Sequence, residues 1–183
     1  MTRQCTLVLG GDKVDIESMF RHVKDFPSAG IDFIDVTPVL QDPCAFAYIV
    51  DCFASQLRDI DFDLIACVES RGFILGAALA YALKKGLVPI RKRGKLPYET
   101  IFEKYALEYG EDVLEMHIDA VSKGQKVVLV DDILATGGTV SASVRLIERL
   151  GGHVSKVLFL AELSDLALSD IRNDYSVFSL VKL

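Results

Sequence analysis

Apolar residues recur along this chain first at helical spacing and then in short continuous runs set between amphipathic stretches. Val14, Ile16, Met19, Phe20 and Val23 keep an approximate helical period, which predicts a helix over 12–24, stopped by Phe26-Pro27 and Gly30. The segment IDFIDVTPVL (31–40) alternates briefly and breaks at Pro38 and Pro43. Phe46, Ile49, Val50, Phe53 and Leu57 fall on one face and predict a second helix over 44–60. Strand and helix then alternate. Strands are expected at 63–68, 87–90, 113–118, 126–130 and 156–163, with a last one in YSVFSLV. Helices are expected at 73–84 and 139–150, and residues 91–111 read as polar and irregular. KVVLV (126–130) is a β-branched run suited to a strand buried on both faces. The pattern has no linker and no repeat, and it predicts one α/β domain over 1–183 with a central, mainly parallel sheet flanked by helices.

Composition narrows the possibilities. The chain has 183 residues, 51% of them hydrophobic, enough for a sizeable core. Twenty basic against 26 acidic residues give a net charge of -6, which argues against nucleic-acid or membrane partners. That acidity is locally inverted: six basic residues and no acidic one lie between Lys84 and Lys95. Cys5, Cys44, Cys52 and Cys67 show no CxxC spacing and read as reduced thiols, and His22, His117 and His153 are too scattered for a zinc site. MTRQCTLVLGG is too polar for a signal peptide and the apolar stretch 73–83 is too short to span a bilayer, so a cytoplasmic location is expected.

In a parallel sheet, ligands gather where strands end and helices begin. VVLVDDILATGGTV puts Asp131 and Asp132 after a central strand, then Ala135, Thr136, Gly137, Gly138 and Thr139 at a helix start. Free N–H groups, the helix dipole and two hydroxyls make this loop an anion site. It contains neither the lysine of a triphosphate-binding loop nor GxGxxG, so nucleotide hydrolysis and dinucleotide binding are disfavoured. Two acids beside such a cradle suit a phosphate with neighbouring hydroxyls, or a phosphate with a metal.

The motif VVLVDDILATGGT resembles the ribose-phosphate element of the type I phosphoribosyltransferases. DFPSAGIDFIDVTPVL, ESRGF, RKRGKLP and YALEYG follow the order seen in the adenine phosphoribosyltransferases, over about residues 26–163. The resemblance implies the type I phosphoribosyltransferase fold, with an N-terminal hood over about 20–43 and a flexible lid loop over about 93–110. It implies a pentosyl transfer of purine salvage, in which adenine and phosphoribosyl diphosphate give AMP and diphosphate. The expected cofactor is Mg²⁺, held mainly through the substrate with no metal site on the protein, and the expected assembly is a homodimer.

Residue by residue, the resemblance assigns the 5'-phosphate to Ala135, Thr136, Gly137, Gly138 and Thr139, and the ribose hydroxyls to Asp131 and Asp132. Glu69, Ser70 and Arg71, with Arg91, Lys92 and Lys95, are the expected diphosphate residues. Ile31, Asp32, Phe33 and Ile34 of the hood, with Arg71 and Leu163, are expected at the adenine. Glu108 is the candidate proton-handling carboxylate, and Tyr109 and Arg71 accompany it at the reacting centre; Tyr105 is carried on the same lid. Ala135 stands where oxopurine enzymes of the superfamily usually carry Asp, which favours adenine. Two departures bear on the base: Asp32 holds a commonly aliphatic position, and Ile34 one often held by Arg. SDLALSDIRN after Leu163 lacks the basic stretch often found there. A transferase acting on another purine, supported if Asp32 faces the base, is an alternative. So is a ligand-sensing regulator, against which the absence of a helix-turn-helix pair counts.

Overall fold

The computed structural model describes residues 14–106, 111–163 and 169–183, and the chain falls into two compact units, Met1–Cys52 and Phe53–Leu183. In the first unit the helix expected over 12–24 does not form. A 3-10 turn, Glu17–Met19, leads into strand β1 (Arg21–Lys24), which pairs antiparallel with β2 (Asp32–Asp35). Phe20 is already extended, with ψ 142, and the ladder to β2 satisfies backbone groups that a short helix of weak formers would satisfy less well. Asp25 Oδ1 accepts the Gly30 N–H at 2.7 Å, and Gly30 takes a φ of +88, which closes the hairpin. The two prolines start helices instead of ending them. Pro38 lies in the first turn of α1 (Thr37–Gln41) and Pro43 opens α2 (Pro43–Gln56), positions where a missing N–H costs nothing. Asp42 Oδ1 caps α2 by accepting from Cys44 N and Ala45 N, both at 2.9 Å. Ala45, Ile49 and Phe53 follow at four-residue spacing and are fully buried.

The second unit continues with β3 (Leu64–Val68), α3 (Arg71–Leu83), β4 (Gly86–Lys92), β5 (Thr100–Ala106), β6 (Glu111–His117) and β7 (Lys126–Leu134). It closes with α4 (Gly138–Arg149), β8 (His153–Glu162), α5 (Ser169–Asp174) and β9 (Val177–Lys182). Its seven-stranded sheet has the order β5-β6-β4-β3-β7-β8-β9. The run from β4 to β9 is parallel, and β6 and β5 are added antiparallel at one edge. All five residues of β3 are buried, as the unbroken apolar run requires for a strand covered on both faces.

Three elements of the second unit differ from the sequence reading. β7 does not stop at Val130 but runs on through Leu134, so Asp131 and Asp132 belong to the strand and their side chains leave it on opposite faces. Within the polar stretch after 91, residues 100–106 are a strand, matched with β6 from Thr100↔His117 to Ala106↔Glu111. Its period-two alternation was disguised because Glu103 points inward, where Arg145 (3.2 Å) and Arg149 (2.5 Å) of α4 take up its charge. The short helix α5 had no periodic signal long enough to read.

Helix α3 lies unusually close to the sheet. A Cβ at Gly72 would come within 2.8 Å of Asp131 Oδ1, and one at Gly76 within 2.7 Å of Cys67 Cβ. On the opposite face of α3, Ile74 and Tyr81 are exposed, Tyr81 to 89%. No helix among the described residues is long and apolar enough to cross a membrane.

Candidate active site

The site is built where β3, β4 and β7 reach their carboxyl ends. After β7 the chain turns through Ala135 and Thr136 to Gly137, whose φ of +83 admits glycine readily, and α4 starts at once. The first turn of α4 carries no acidic residue, so the positive end of its dipole is left for a ligand anion. An open cavity of about 60 Å³ lies over this loop, lined by Asp131, Ile133, Leu134, Ala135, Thr136, Gly137, Thr139, Val140 and Phe159. Asp131 and the loop expected to hold a phosphate therefore share one cavity.

The two adjacent carboxylates have different surroundings. Asp132 is buried and its Oδ2 accepts from Arg71 Nε, so the guanidinium at the start of α3 closes onto it. Asp131 packs beside Gly72, and its Oδ1 accepts the Asp132 N–H at 2.9 Å. Desolvation, then the charge of Asp132, raise the Asp131 carboxyl well above the ordinary 3.8, with Arg71 opposing. A proton or a hydrogen-bond donor is thus especially favourable at Asp131, and vicinal hydroxyls would supply such donors.

The loop after β3 carries Glu69 and Ser70, joined by a cis peptide. Glu69 N–H donates to Ile90 O at 3.0 Å. Its Oε2 accepts from Arg91 Nε and from Lys92 N, both at 2.9 Å. Glu69 thus fastens the end of β3 to the end of β4, and Arg91 is aimed further by donating to Lys95 O at 3.0 Å. Ser70 takes the N-cap position of α3 and makes no side-chain cap bond. Lys95 is exposed.

The basic island is met by acids that the sequence reading did not connect to it. Lys92 pairs with Asp112 at 3.0 Å, Arg93 approaches Glu115 at 4.0 Å, and Glu115 Oε2 accepts the Gly94 N–H at 2.9 Å. Asp112 and Glu115 lie on β6, some twenty residues away, and only the antiparallel β4–β6 register (Arg91↔Glu115, Lys92↔Leu114) brings them in. Burial works against ionisation of Asp112, but Lys92, the Val113 N–H and Tyr105 outweigh it and hold its carboxyl below the ordinary range. Leu163 is half-buried just after β8, and its N–H donates to Leu134 O at 2.9 Å. Behind it, the buried Glu162 takes Arg172 of α5 through Nε at 3.2 Å and through a second guanidinium nitrogen.

The expected hood residues lie in the first unit. Asp32 is exposed and its Oδ2 meets His22 Nδ1 at 2.8 Å across the β1–β2 ladder. Phe33 stacks edge-on against Phe26 with ring centroids 5.3 Å apart, and Ile34 is buried. Ile31 N–H donates to Ser28 O at 3.3 Å. Glu108 and Tyr109 lie outside the described residues.

The sequence model of the phosphoribosyl transferase domain matches residues 40–182. The chain belongs to the phosphoribosyltransferase family. Among curated relatives of this phosphoribosyltransferase, the adenine phosphoribosyltransferase of Caldicellulosiruptor saccharolyticus is 53% identical over 169 residues, spanning 92% of this chain and 97% of its own. The crystal structure of adenine phosphoribosyltransferase from Thermoanaerobacter pseudethanolicus superposes with a TM-score of 0.88 at 52% identity, over 92% of this chain and 98% of that one. The Saccharomyces cerevisiae adenine phosphoribosyltransferase, solved with adenine and an imino-altritol bisphosphate, gives 0.83 at 37% identity, over 90% and 96%. The type I phosphoribosyltransferase fold expected from the motifs is the fold found.

Proposed function

We propose that this phosphoribosyltransferase transfers the 5-phosphoribosyl group of phosphoribosyl diphosphate to N9 of adenine, giving AMP and diphosphate in purine salvage. The observation that carries the reading is the convergence at β7. An anion cradle at the start of α4, the Asp131–Asp132 pair and Arg71 come together from two strand ends, in a chain whose relatives are adenine phosphoribosyltransferases. The C1–O bond to diphosphate breaks as the C1–N9 bond forms, and the N9 proton leaves the base.

In this reading the loop 135–139 holds the 5'-phosphate and Asp131 and Asp132 accept from the ribose hydroxyls. Asp132 gives up Arg71 in exchange for a hydroxyl donor, which frees the guanidinium for diphosphate or base. Ser70, Arg91, Lys92 and Lys95 face the diphosphate, and Glu69 aims Arg91. Removing one well-placed donor from such a set costs about 3 kcal/mol in the barrier. Ile31, Asp32, Phe33, Ile34 and Leu163 serve the base, and Glu108 with Tyr109 handles its proton; these roles rest on the resemblance. The His22–Asp32 pair supports a structural use of that carboxylate in the hairpin, not a change of base.

Mg²⁺ fits this donor set. Among the described residues no group of three or more His, Cys, Asp or Glu gathers, whereas Mg²⁺ commonly takes one or two carboxylates together with substrate phosphates. It would be held mainly through the substrate, with Asp131 and Asp132 balancing its charge. When bound, it supplies positive charge against the leaving diphosphate. A cytoplasmic homodimer completes the proposal, and the exposed apolar side chains of Ile74 and Tyr81 on α3 support its dimeric part.

Formation of AMP from adenine, with hypoxanthine, guanine and orotate as controls, tests the activity; turnover of another base with none of adenine refutes the substrate. Light scattering tests the assembly. A dimer that Tyr81→Glu splits is expected, and a wild-type monomer refutes it.

A further inference from the structure

The basic run at the end of β4 is anchored by a buried carboxylate, Glu115, that comes from β6. The β4–β6 register ends at Lys92↔Leu114, and one more backbone bond, Arg93 N–H to Val113 O at 3.2 Å, carries the chain past it. Lys92–Lys95 then forms a tight turn. Lys95 N–H closes it by donating to Lys92 O at 3.3 Å, and Gly94 takes a φ of +76. The Gly94 N–H, inside that turn, donates to Glu115 Oε2 at 2.9 Å. Glu115 stands opposite Arg91 on one side and Phe102 on the other, and is only 8% exposed.

Burial makes that bond count. A carboxylate with little access to water gains more from an N–H than an exposed one does, and leaving it unmet is costly. Arg93 adds charge from the rim, with its Nε 4.0 Å from Glu115 Oε1 and its guanidinium over the Phe102 ring at 5.6 Å. The Arg93 side chain is 67% exposed, so this second contact is the weaker one. The turn in its shape serves the other basic residues. It sets the spacing of Lys92 and Lys95, and it presents Lys95 O to the Arg91 guanidinium at 3.0 Å, while Glu69 takes the same side chain at 2.9 Å. Arg91, Lys92, Arg93 and Lys95 put four cations into five residues. They repel one another, and a turn without its anchor would let them splay.

We propose that Glu115 is a positioning residue of the diphosphate subsite. By accepting the Gly94 N–H, its carboxylate fixes the Lys92–Lys95 turn and presents Arg91, Lys92 and Lys95 to the ligand already ordered. The inference rests on the reading of those three as diphosphate residues given above. It also gives Arg93, the basic residue of the run without a place at the ligand, a use as counter-charge to Glu115. The effect is selective, because the loop at the start of α4 is carried by a different strand, β7, and does not depend on this turn. Long basic side chains that must be ordered during binding, instead of being met in order, weaken it about 10-fold.

Calorimetric titrations of magnesium diphosphate and, separately, of ribose 5-phosphate into the whole enzyme test the role. Glu115→Leu removes the acceptor and should weaken diphosphate about 10-fold while leaving ribose 5-phosphate within about twofold. Glu115→Gln keeps an oxygen for the Gly94 N–H and should restore diphosphate to within about threefold of wild type, and Arg93→Ala should stay within about twofold. Thermal melts confirm that the variants are folded. Gly94→Ala keeps the test open if Glu115→Leu does not fold: the added Cβ meets nothing within 4 Å, but a φ of +76 disfavours any side chain, so the turn alone is disturbed and diphosphate should again weaken selectively. A merely structural role would weaken both ligands alike. Equal losses for the two ligands, no loss in a folded Glu115→Leu or in Gly94→Ala, or a Glu115→Gln as weak as Glu115→Leu, overturns the positioning role while the subsite stands. A wild type that fails to bind magnesium diphosphate at millimolar concentration overturns the diphosphate reading, and the role of Glu115 with it.

Discussion

Replacing Gly72 by Ala tests whether the close approach of α3 serves the site or only the packing. The added Cβ would lie 2.8 Å from Asp131 Oδ1 and 3.0 Å from Val130 O, against the 3.4 Å at which ordinary contact begins. Something must yield by about 0.6 Å, and the side chain in the way is the carboxylate assigned to the ribose. Gly76→Ala is the matched control, since its Cβ would meet Cys67 Cβ at 2.7 Å, also on the sheet side of α3 but away from the carboxylates. Overpacking costs about 1–3 kcal/mol, and Ala returns about 1 kcal/mol over Gly in a helix, so each variant should lose about 0–2 kcal/mol of stability. At about 2–4 °C of Tm per kcal/mol for a chain of this size, both remain folded at assay temperature. Their activities should part. Gly72→Ala displaces a contact to the reacting sugar and should lower kcat/KM for phosphoribosyl diphosphate about 10–100-fold, the scale of a misplaced catalytic geometry. Gly76→Ala should leave kcat/KM within about threefold of wild type, a difference below 1 kcal/mol. Steady-state kinetics beside thermal melts decides the matter. Equal activity losses in the two variants, or none in a folded Gly72→Ala, would refute the assignment.

Three further outcomes follow from the same geometry. The folded-state carboxyl of Asp131 is raised, so its stabilising contribution is full below the ordinary 3.8 and is lost as pH rises through the folded value; Asp131→Asn should therefore gain Tm over wild type as pH rises above the ordinary 3.8 while losing activity, and a flat difference argues against it. Arg172→Ala leaves the buried Glu162 unpaired and should cost about 2–3 kcal/mol in denaturant unfolding, more than Glu162→Gln, which leaves only the partly exposed arginine; the opposite ranking would sink the argument. Burial pushes the Cys67 thiol up to about 12, so iodoacetamide at pH 8 should spare it in the native protein and modify it after unfolding, as peptide mass mapping would show.

What could be read from the residues alone was what local pattern encodes. The apolar runs located β3, β7 and β8, and the Gly-Gly-Thr turn located the start of α4. Asp131 and Asp132 were recognised as a pair, but their unequal environments were not, because those depend on Gly72 and Arg71 some sixty residues earlier. β1 was misread as helix because Val14 to Val23 satisfy a helical period, while pairing with β2 is a decision made by another segment. The charges of the 84–95 island were legible, but not their partners. Asp112 and Glu115 look like ordinary surface acids until the β4–β6 register places them beside Lys92 and Arg93.

The order of the sheet also has a consequence for how the protein is made. β3 is hydrogen-bonded to β4 on one side and to β7 on the other, in the register Leu64↔Val127 to Cys67↔Val130. A growing chain completes β3 long before β7 exists, so one edge of a wholly apolar strand waits while about sixty residues are added, roughly 3–12 s at about 5–20 residues per second. During that interval neither the Asp131 cradle nor the edge partner of β3, β7, has been synthesised. Ribosome-bound chains arrested before residue 126 should be open to protease at β3, and chains extended past Leu134 should be protected. The strand that gives the finished enzyme its most buried layer is thus the one that leaves the newborn chain most exposed to aggregation.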